Sequence, residues 1–204
     1  MTGKIKLNAA SGGGSVSFQA PSSTGDDRVI TLPTTADGTV LTTTNPKAGN
    51  IIQVVSTTKT DTGSSSVDGG ALTDHVLTQA ITPSATSSKV LVQFHVTVSS
   101  ASTMNRLAAV ITRNGTAVGV SDSTGDNKTE NTVCIAANNS SDPYFLSGNF
   151  LDSPSSTSAV TYGIKIRTGT SSTITIYFNR QGSESNNIYI MRGTSTLTCM
   201  EVAG

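Results

Sequence analysis

Apolar and polar side chains alternate most regularly between residues 90 and 98. The apolar positions of this stretch are Val90, Val92, Phe94, Val96 and Val98. A period of two over nine residues places the apolar set on one face of a β-strand and the polar set on the other. Further on, Asn114-Gly115 separates apolar segments at 107–113 and 117–120. Asn-Gly in this position predicts a β-hairpin, because both central residues of a type I′ turn need positive φ.

Shorter segments of the same kind predict more strands in the part of the chain that begins at residue 49. They span 51–55, 72–81, 132–136, 144–151, 160–167, 173–179, 188–191 and 197–202. No window shows the 3.6-residue period of an amphipathic helix. The pattern therefore predicts an all-β fold, an antiparallel jelly-roll-like sandwich, since this architecture buries one face of each strand and limits exposed edges.

Residues 1–48 carry only short apolar pieces separated by Gly, Ser, Pro and Asp. The apolar positions on which the interpretation depends are Ile5, Leu7, Val16, Phe18, Val29, Ile30 and Leu32. Two or three such strands are marginally stable alone in water. We therefore expect residues 1–48 to form an attachment or trimerisation segment and residues 49–204 to form the sandwich domain, with the turn-rich stretch around Pro46 between them.

The composition points to help from neighbouring subunits. Hydrophobic residues make up 35% of the 204 residues, and the aromatic residues are five Phe and four Tyr with no Trp. Each buried Val, Leu or Ile contributes only about 1.5–3 kcal/mol, so the supply of large core side chains is thin. Association with identical copies would add buried area, and we expect a homotrimer.

The charge balance and the hydropathy disfavour two classes of partner. Thirteen basic and thirteen acidic residues cancel, so the whole chain has no field that attracts nucleic acid or anionic lipid. No stretch approaches the 18 apolar residues of a membrane-spanning helix, so we expect no membrane insertion. Polar Asn8 and the glycines at 12–14 interrupt the N-terminus where a secretory signal would need a continuous apolar run.

Residues with reactive side chains are few. Neither His75 nor His95 accompanies a G-x-S-x-G nucleophile motif, and His95 lies on the polar face of the 90–98 strand, where we expect it to pack through its ring. Cys134 and Cys199 have no metal-ligand spacing, and we expect both to be small buried hydrophobes. The sequence thus predicts no enzymatic activity, no cofactor and no metal.

The polar stretch from Asp122 to Glu130 is the main candidate for a contact loop. Its positions of interest are Asp122, Asp126, Asn127 and Glu130. The stretch departs from a calcium-binding loop, because its Gly precedes the second Asp and Lys128 adds a positive charge. Loops at one end of a sandwich carry its contacts, and we expect these residues in an exposed loop.

Several runs resemble one family of proteins. They include Gly3-Lys-Ile-Lys-Leu7, Arg28-Val-Ile-Thr-Leu-Pro33, Asp37-Gly-Thr-Val-Leu41, Gly49-Asn-Ile-Ile-Gln-Val54, Arg113-Asn-Gly-Thr-Ala-Val-Gly119 and Met200-Glu-Val-Ala-Gly204. Together these runs, spread over nearly the whole chain, resemble small virion structural proteins of tailed bacteriophages, notably phages of aquatic and cyanobacterial hosts. The resemblance implies a homotrimer with an intertwined N-terminal β region and a jelly-roll knob similar to those of C1q and tumour necrosis factor.

The resemblance leaves three functions open. The first is a short tail fibre at the virion surface, made in the host cytoplasm, which docks on a tail adaptor by its N-terminal segment and turns its knob towards a host surface glycan. The second is a decoration protein that cements the major capsid protein. The third is a virion protein that binds or cleaves glycans, and cleavage would require two carboxylates about 5–9.5 Å apart in a groove.

Overall fold

The computed structural model describes residues 4–8, 11–19, 25, 46–103, 105–122, 129–137 and 142–204. All regular secondary structure in these residues is β-strand, and no helix among them is long and apolar enough to cross a membrane. The chain divides into two compact units, Met1–Val40 and Leu41–Gly204. The boundary predicted from the sequence, at residue 48, lies a few residues after this division. Residues 41–45 lie outside the described residues, so the predicted boundary stays a prediction.

Among the described residues, the first unit contains a hairpin of two strands and the second unit contains the other eleven. The strands of the first unit are β1 (Lys4–Asn8) and β2 (Ser15–Gln19). Those of the second unit are β3 (Ile51–Lys59), β4 (Gly63–Val67), β5 (Leu77–Ile81), β6 (Lys89–Ser100), β7 (Asn105–Arg113), β8 (Thr116–Val118), β9 (Val133–Ala137), β10 (Tyr144–Asp152), β11 (Val160–Thr168), β12 (Ile174–Phe178) and β13 (Ser195–Val202).

Two antiparallel sheets form the second unit. In the first sheet β6 pairs along one edge with β10, and its other edge is shared by β13 and β12, which pair in turn with β3 and β4. In the second sheet β11 lies between β5 and β7, and the far edge of β7 is shared by β8 and β9. Without the short additional strands, the orders β3-β13-β6-β10 and β5-β11-β7-β9 are those of a jelly roll. The predicted fold class is confirmed.

The core lies between the two sheets and follows the predicted alternation. Val90, Val92, Val96 and Val98 of β6 are fully buried, and Phe94 is 5% exposed. They pack in one cluster with side chains from the second sheet, among them Leu107, Ile111, Tyr162, Ile164 and Ile166. The hairpin at Asn114-Gly115 is also confirmed, since both residues have positive φ, 49° and 86°, between β7 and β8.

Two strand predictions differ from the structure, and one strand was not predicted. The 72–81 segment is a strand only from Leu77 onward, and Leu72 forms an isolated bridge with Arg167. The sequence missed β4, because Gly-Ser-Ser-Ser-Val carries a single apolar residue. Residues 188–191 are not a strand. The Asn187 side-chain oxygen accepts the Tyr189 N–H at 3.0 Å, an Asx turn that competes with extended backbone.

A buried polar cluster joins the two sheets. The Asp152 carboxylate at the end of β10 accepts hydrogen bonds from Arg113 Nη1 of β7, at 3.0 and 2.9 Å, and from the Tyr162 hydroxyl of β11, at 2.6 Å. Burial, followed by the hydrogen bond to Asp152, raises the pKa of Tyr162 well above its ordinary range. The phenol therefore stays protonated and is held as a donor to the carboxylate.

A second carboxylate is buried at the end of β13. Glu201 is fully buried and accepts hydrogen bonds from Gln53 Nε2 and from the backbone N–H and hydroxyl of Ser84, each at 2.6 Å. Burial raises the pKa of Glu201, but the hydrogen bonds outweigh burial and hold the pKa below its usual value. The carboxylate thereby ties β13 to β3 and to the loop that precedes β6.

This cluster predicts an acid-dependent loss of stability. Because the pKa of Glu201 is lower in the folded chain than the unfolded value of about 4.3, its stabilisation is complete well above pH 4.3 and is lost as the pH falls towards the folded pKa. At pH 7, Glu201→Gln should lower the free energy of unfolding by about 1–3 kcal/mol, since an amide NH₂ then faces the Gln53 donor.

Urea unfolding followed by circular dichroism from pH 7 to pH 3 measures the effect. The wild type and Glu201→Gln should differ most at neutral pH and converge in acid. Glu184→Gln is the matched control, because its ion pairs with Arg192 and Arg180 are partly exposed to solvent and their loss should change the free energy of unfolding by less than about 1 kcal/mol. A constant difference between the wild type and Glu201→Gln across the pH range would contradict the assignment.

Candidate interaction surfaces

The hairpin of the first unit exposes one apolar face. Ile5 lies opposite Phe18 and Leu7 opposite Val16 in the antiparallel register of β1 and β2. Cross-strand partners lie on the same face of a sheet, and residues two apart along a strand share that face as well. Ile5, Leu7 and Phe18 are 66%, 56% and 50% exposed. We call the side of the hairpin that carries these three side chains the hairpin face.

The structure brings together only some of the predicted attachment residues. Ile5, Leu7, Val16 and Phe18 meet in the β1–β2 hairpin. Val29, Ile30 and Leu32 lie outside the described residues. The register of the hairpin places the first four residues on one face. The attachment role of all seven residues stays a prediction.

The candidate contact loop is described only at its two ends. Asp122 is exposed and Glu130 is half-buried, whereas Asp126 and Asn127 lie outside the described residues. The Ser121 N–H donates to the Asn131 carbonyl at 3.2 Å, and the Asn131 N–H donates to the Ser121 hydroxyl at 3.4 Å. These bonds join the two ends of the loop beside β9. The chain therefore leaves the sandwich at Asp122 and returns to it at Glu130 in one place. The contact role of the loop stays a prediction.

The two histidines have separate structural partners. His95, on the outer face of the first sheet, stacks on Phe145 with ring centroids 5.5 Å apart, and its Nδ1 is 3.2 Å from the Ser147 hydroxyl. The prediction that it packs through its ring is confirmed. His75 hydrogen-bonds to Thr112 at 2.8 Å, and burial lowers its pKa. Within the described ranges, no group of three or more His, Cys, Asp and Glu residues could hold a metal ion.

A row of apolar residues crosses the outer face of the first sheet, and sequence reasoning missed it. In strand order from β3 to β10, the row consists of Val54, Met200, Leu91 and Leu151, each paired with the next. Val54 and Leu151, at the two ends, are 55% and 46% exposed. The next two rows are polar and contain no Lys, Arg, Asp or Glu: Ser56-Thr198-Gln93-Asn149 and Thr58-Thr196-His95-Ser147. We call the row from Val54 to Leu151 the apolar row.

A signal for the apolar row was present in the sequence. Val54, Leu91, Leu151 and Met200 each interrupt the polar positions of an alternating strand. Alternation identifies them as outward-facing, but it does not align four separate strands. Only the register of β3, β13, β6 and β10 places the four side chains in line.

The loop between β12 and β13 carries the most exposed apolar side chains. Ile188, Tyr189 and Met191 are 86%, 76% and 67% exposed. Within this loop, Arg192 and Glu184 form an ion pair of 3.0 Å, which links the residues on the two sides of these apolar side chains. Of the four tyrosines, Tyr189 is the most exposed, Tyr144 and Tyr177 are half-buried, and Tyr162 is fully buried.

The two cysteines differ in their surroundings. Cys199 is fully buried in the core, as expected, and burial raises its pKa to about 12. Cys134 is exposed on β9, so the expectation that both are buried is wrong for this residue. It belongs to the outward positions of its strand, where a small side chain gives no burial signal in the sequence.

Comparisons with known proteins give a weak structural likeness. No protein-family model matches the sequence, and no curated protein matches it. Among solved structures, that of the infectious bursal disease virus Gt strain has a TM-score of 0.39 and 15% identity, over 93% of this chain and 48% of that chain. T=1 particles derived from infectious bursal virus give a TM-score of 0.39 and 14% identity, over 93% of this chain and 46% of that chain. The chain thus spans a little under half the length of these chains.

Proposed function

We propose that this chain is a non-enzymatic virion structural protein, a short homotrimeric appendage that docks on the particle through its N-terminal β segment. The observation that carries the proposal is the hairpin face. A two-stranded sheet that leaves Ile5, Leu7 and Phe18 half or more exposed is marginal in water. Burial against identical hairpins would contribute about 1.5–3 kcal/mol for each such side chain.

The resemblance of the sequence to small virion proteins of tailed phages supports the same proposal. The net charge of zero adds no electrostatic repulsion to the association of identical copies. The jelly-roll unit would then offer its loops to the host surface. The tail adaptor is the proposed docking partner.

Light scattering at micromolar concentration tests the assembly. We expect a mass of about three times the 20.9 kDa of one chain, because the hairpin face is covered only when copies associate. A mass of one chain at that concentration would refute the trimer.

A capsid decoration protein is the second candidate, and the apolar row favours it. A decoration protein covers broad surfaces of its knob as well as its attachment segment, and an apolar row on an exposed sheet face is typical of a protein contact. The partner would then be the major capsid protein. Here the first sheet, rather than the loops, would make the contact.

Electron microscopy of virions labelled with antibodies against residues 49–204 distinguishes the two candidates. Label at the tail would support the appendage, and label distributed over the head would support decoration. Unlabelled particles, from a lysate in which the chain is abundant, would contradict both. The labelled site also indicates whether the loops or the first sheet of the sandwich remain accessible.

A further inference from the structure

One edge of the first sheet is formed by β10. In the described part of the chain this strand pairs with β6 alone. The pairing is regular from Tyr144 to Asp152, without a bulge. The other side of β10 therefore presents backbone N–H and C=O groups beside which no described strand lies. Such an edge is a template for pairing with a further strand.

The β10 edge lacks the features that usually protect a sheet edge. Proteins protect edges with charged side chains, proline, bulges or short strands. The one charged residue of β10 is Asp152, which is buried, and the strand contains no proline. The other edge strands of this sheet are better protected: β4 has five residues, and β3 ends at Lys59 and has a register irregularity opposite Glu201-Val202.

The outward side chains of β10 form a self-complementary pattern. Phe145, Ser147, Asn149 and Leu151 alternate along the outer face, and all four are exposed. The order is apolar, polar, polar, apolar in either direction. In an antiparallel pair of two β10 strands centred on Gly148, Phe145 would lie opposite Leu151 of the second copy, and Ser147 opposite Asn149. A shift of two residues in either direction would set apolar side chains opposite polar ones.

The same register continues the rows of the outer face. The apolar row ends at Leu151, which is 46% exposed, and Phe145 of the second copy, which is 58% exposed, would extend it. The next row ends at Asn149 and would continue into Ser147 of the second copy. These four side chains carry no charge, so identical strands would meet without the like-charge pairs that destabilise a sheet.

We propose that β10 pairs with β10 of a second copy, antiparallel and centred on Gly148, so that two first sheets become one continuous sheet. A twofold contact uses the same residues of both partners, and the pattern of β10 meets this requirement. A contact along one strand is smaller than the stable interface of about 800 Å² per partner. We therefore expect it to be weak and to leave the mass at micromolar concentration unchanged. The inference does not depend on the proposed virion role.

Single cysteines test the register, in a Cys134→Ser background that removes the exposed native thiol. Opposite residues of an antiparallel pair have Cα atoms about 4.5 or 5.5 Å apart, within the range of a disulfide, whereas diagonal neighbours lie at its limit or beyond. In a glutathione redox buffer at submillimolar chain concentration, Ser147→Cys mixed with Asn149→Cys should cross-link several times faster than either variant alone.

The opposite edge of the sheet supplies the control for random collisions. Ser56 and Thr58 are exposed outward positions of β3. Ser56→Cys and Thr58→Cys should cross-link slowly, both with each other and with the β10 variants. Their rate is the baseline against which the mixture of Ser147→Cys and Asn149→Cys is compared.

The two ends of the apolar row supply a second pair of variants. Leu151→Lys, added to both members of the mixture, should slow cross-linking about three- to tenfold, because the twofold axis repeats the lost apolar pair. Val54→Lys places the same charge at the other end of the row, where the exposure is similar, and should leave the rate unchanged.

Several outcomes would overturn the proposal. Cross-linking of either β10 variant alone at the rate of the mixture would refute the register, and a mixture no faster than the β3 baseline would refute the contact. Rapid cross-linking of Ser147→Cys with Ser56→Cys would assign the edge to β3 of the second copy instead. Circular dichroism establishes that each variant is folded. Should a β10 variant fail to fold, Phe145→Cys mixed with Leu151→Cys tests the same register.

Discussion

Replacing Asp152 with alanine is expected to lower the free energy of unfolding by about 3 kcal/mol. The substitution removes the one carboxylate that accepts from both Arg113 and Tyr162. The fully buried phenol then loses its acceptor, and the guanidinium loses its counter-charge, a loss of about 3–5 kcal/mol for buried pairs. We expect the lower value because the Arg113 side chain is 33% exposed and regains some hydration.

Urea unfolding at one fixed chain concentration measures this effect, since association makes stability concentration-dependent. Asp61→Ala is the matched control. Asp61 also pairs with a cation, Lys59 at 2.6 Å, but its side chain is 75% exposed, so the unfolding midpoint should not change. Equal destabilisation by the two substitutions would refute the role of the buried cluster.

A triple variant tests the physical cause. Asp152→Leu, Arg113→Met and Tyr162→Phe together replace the polar cluster with apolar groups of similar volume. Such replacements are often neutral or stabilising, so the triple variant should be more stable than Asp152→Ala. A further loss would indicate that the cluster holds the sheets together by geometry that apolar packing does not restore.

Placing aspartate at Ile5 and Phe18 is expected to convert the proposed trimer into single chains. The two residues pair across β1 and β2 on the hairpin face, and three copies would bring six carboxylates into one apolar contact. Burial of an unpaired carboxylate costs several kcal/mol, more than the apolar gain of the side chains it replaces. Light scattering at micromolar concentration should therefore give the mass of one chain.

The opposite face of the same hairpin supplies the control. Lys6 lies opposite Ser17, and Lys6→Gln with Ser17→Asp changes the net charge by the same two units without touching the hairpin face. This variant should remain trimeric. Dissociation of both variants would mean that net charge, rather than the hairpin face, governs assembly, and persistence of the trimer in both would refute the hairpin as its contact.

The sandwich itself was predictable because its strands carry strong local signals. The 90–98 alternation identified a strand whose apolar side is fully buried, and the Asn114-Gly115 turn follows from backbone conformations that few residues adopt. The 188–191 segment failed because its apolar residues resemble a strand, while Asn187 provides a competing hydrogen bond that apolar patterning does not report.

The sequence alone determined that the chain is an antiparallel β protein and which side of most strands is buried. These properties depend on the two-residue period and on turn residues, both of which act over a few positions. Only the tertiary structure decided which side chains meet across strands. The apolar row combines residues from four strands and the Asp152 cluster combines residues from three. The order and register of those strands are set by packing of the whole sandwich.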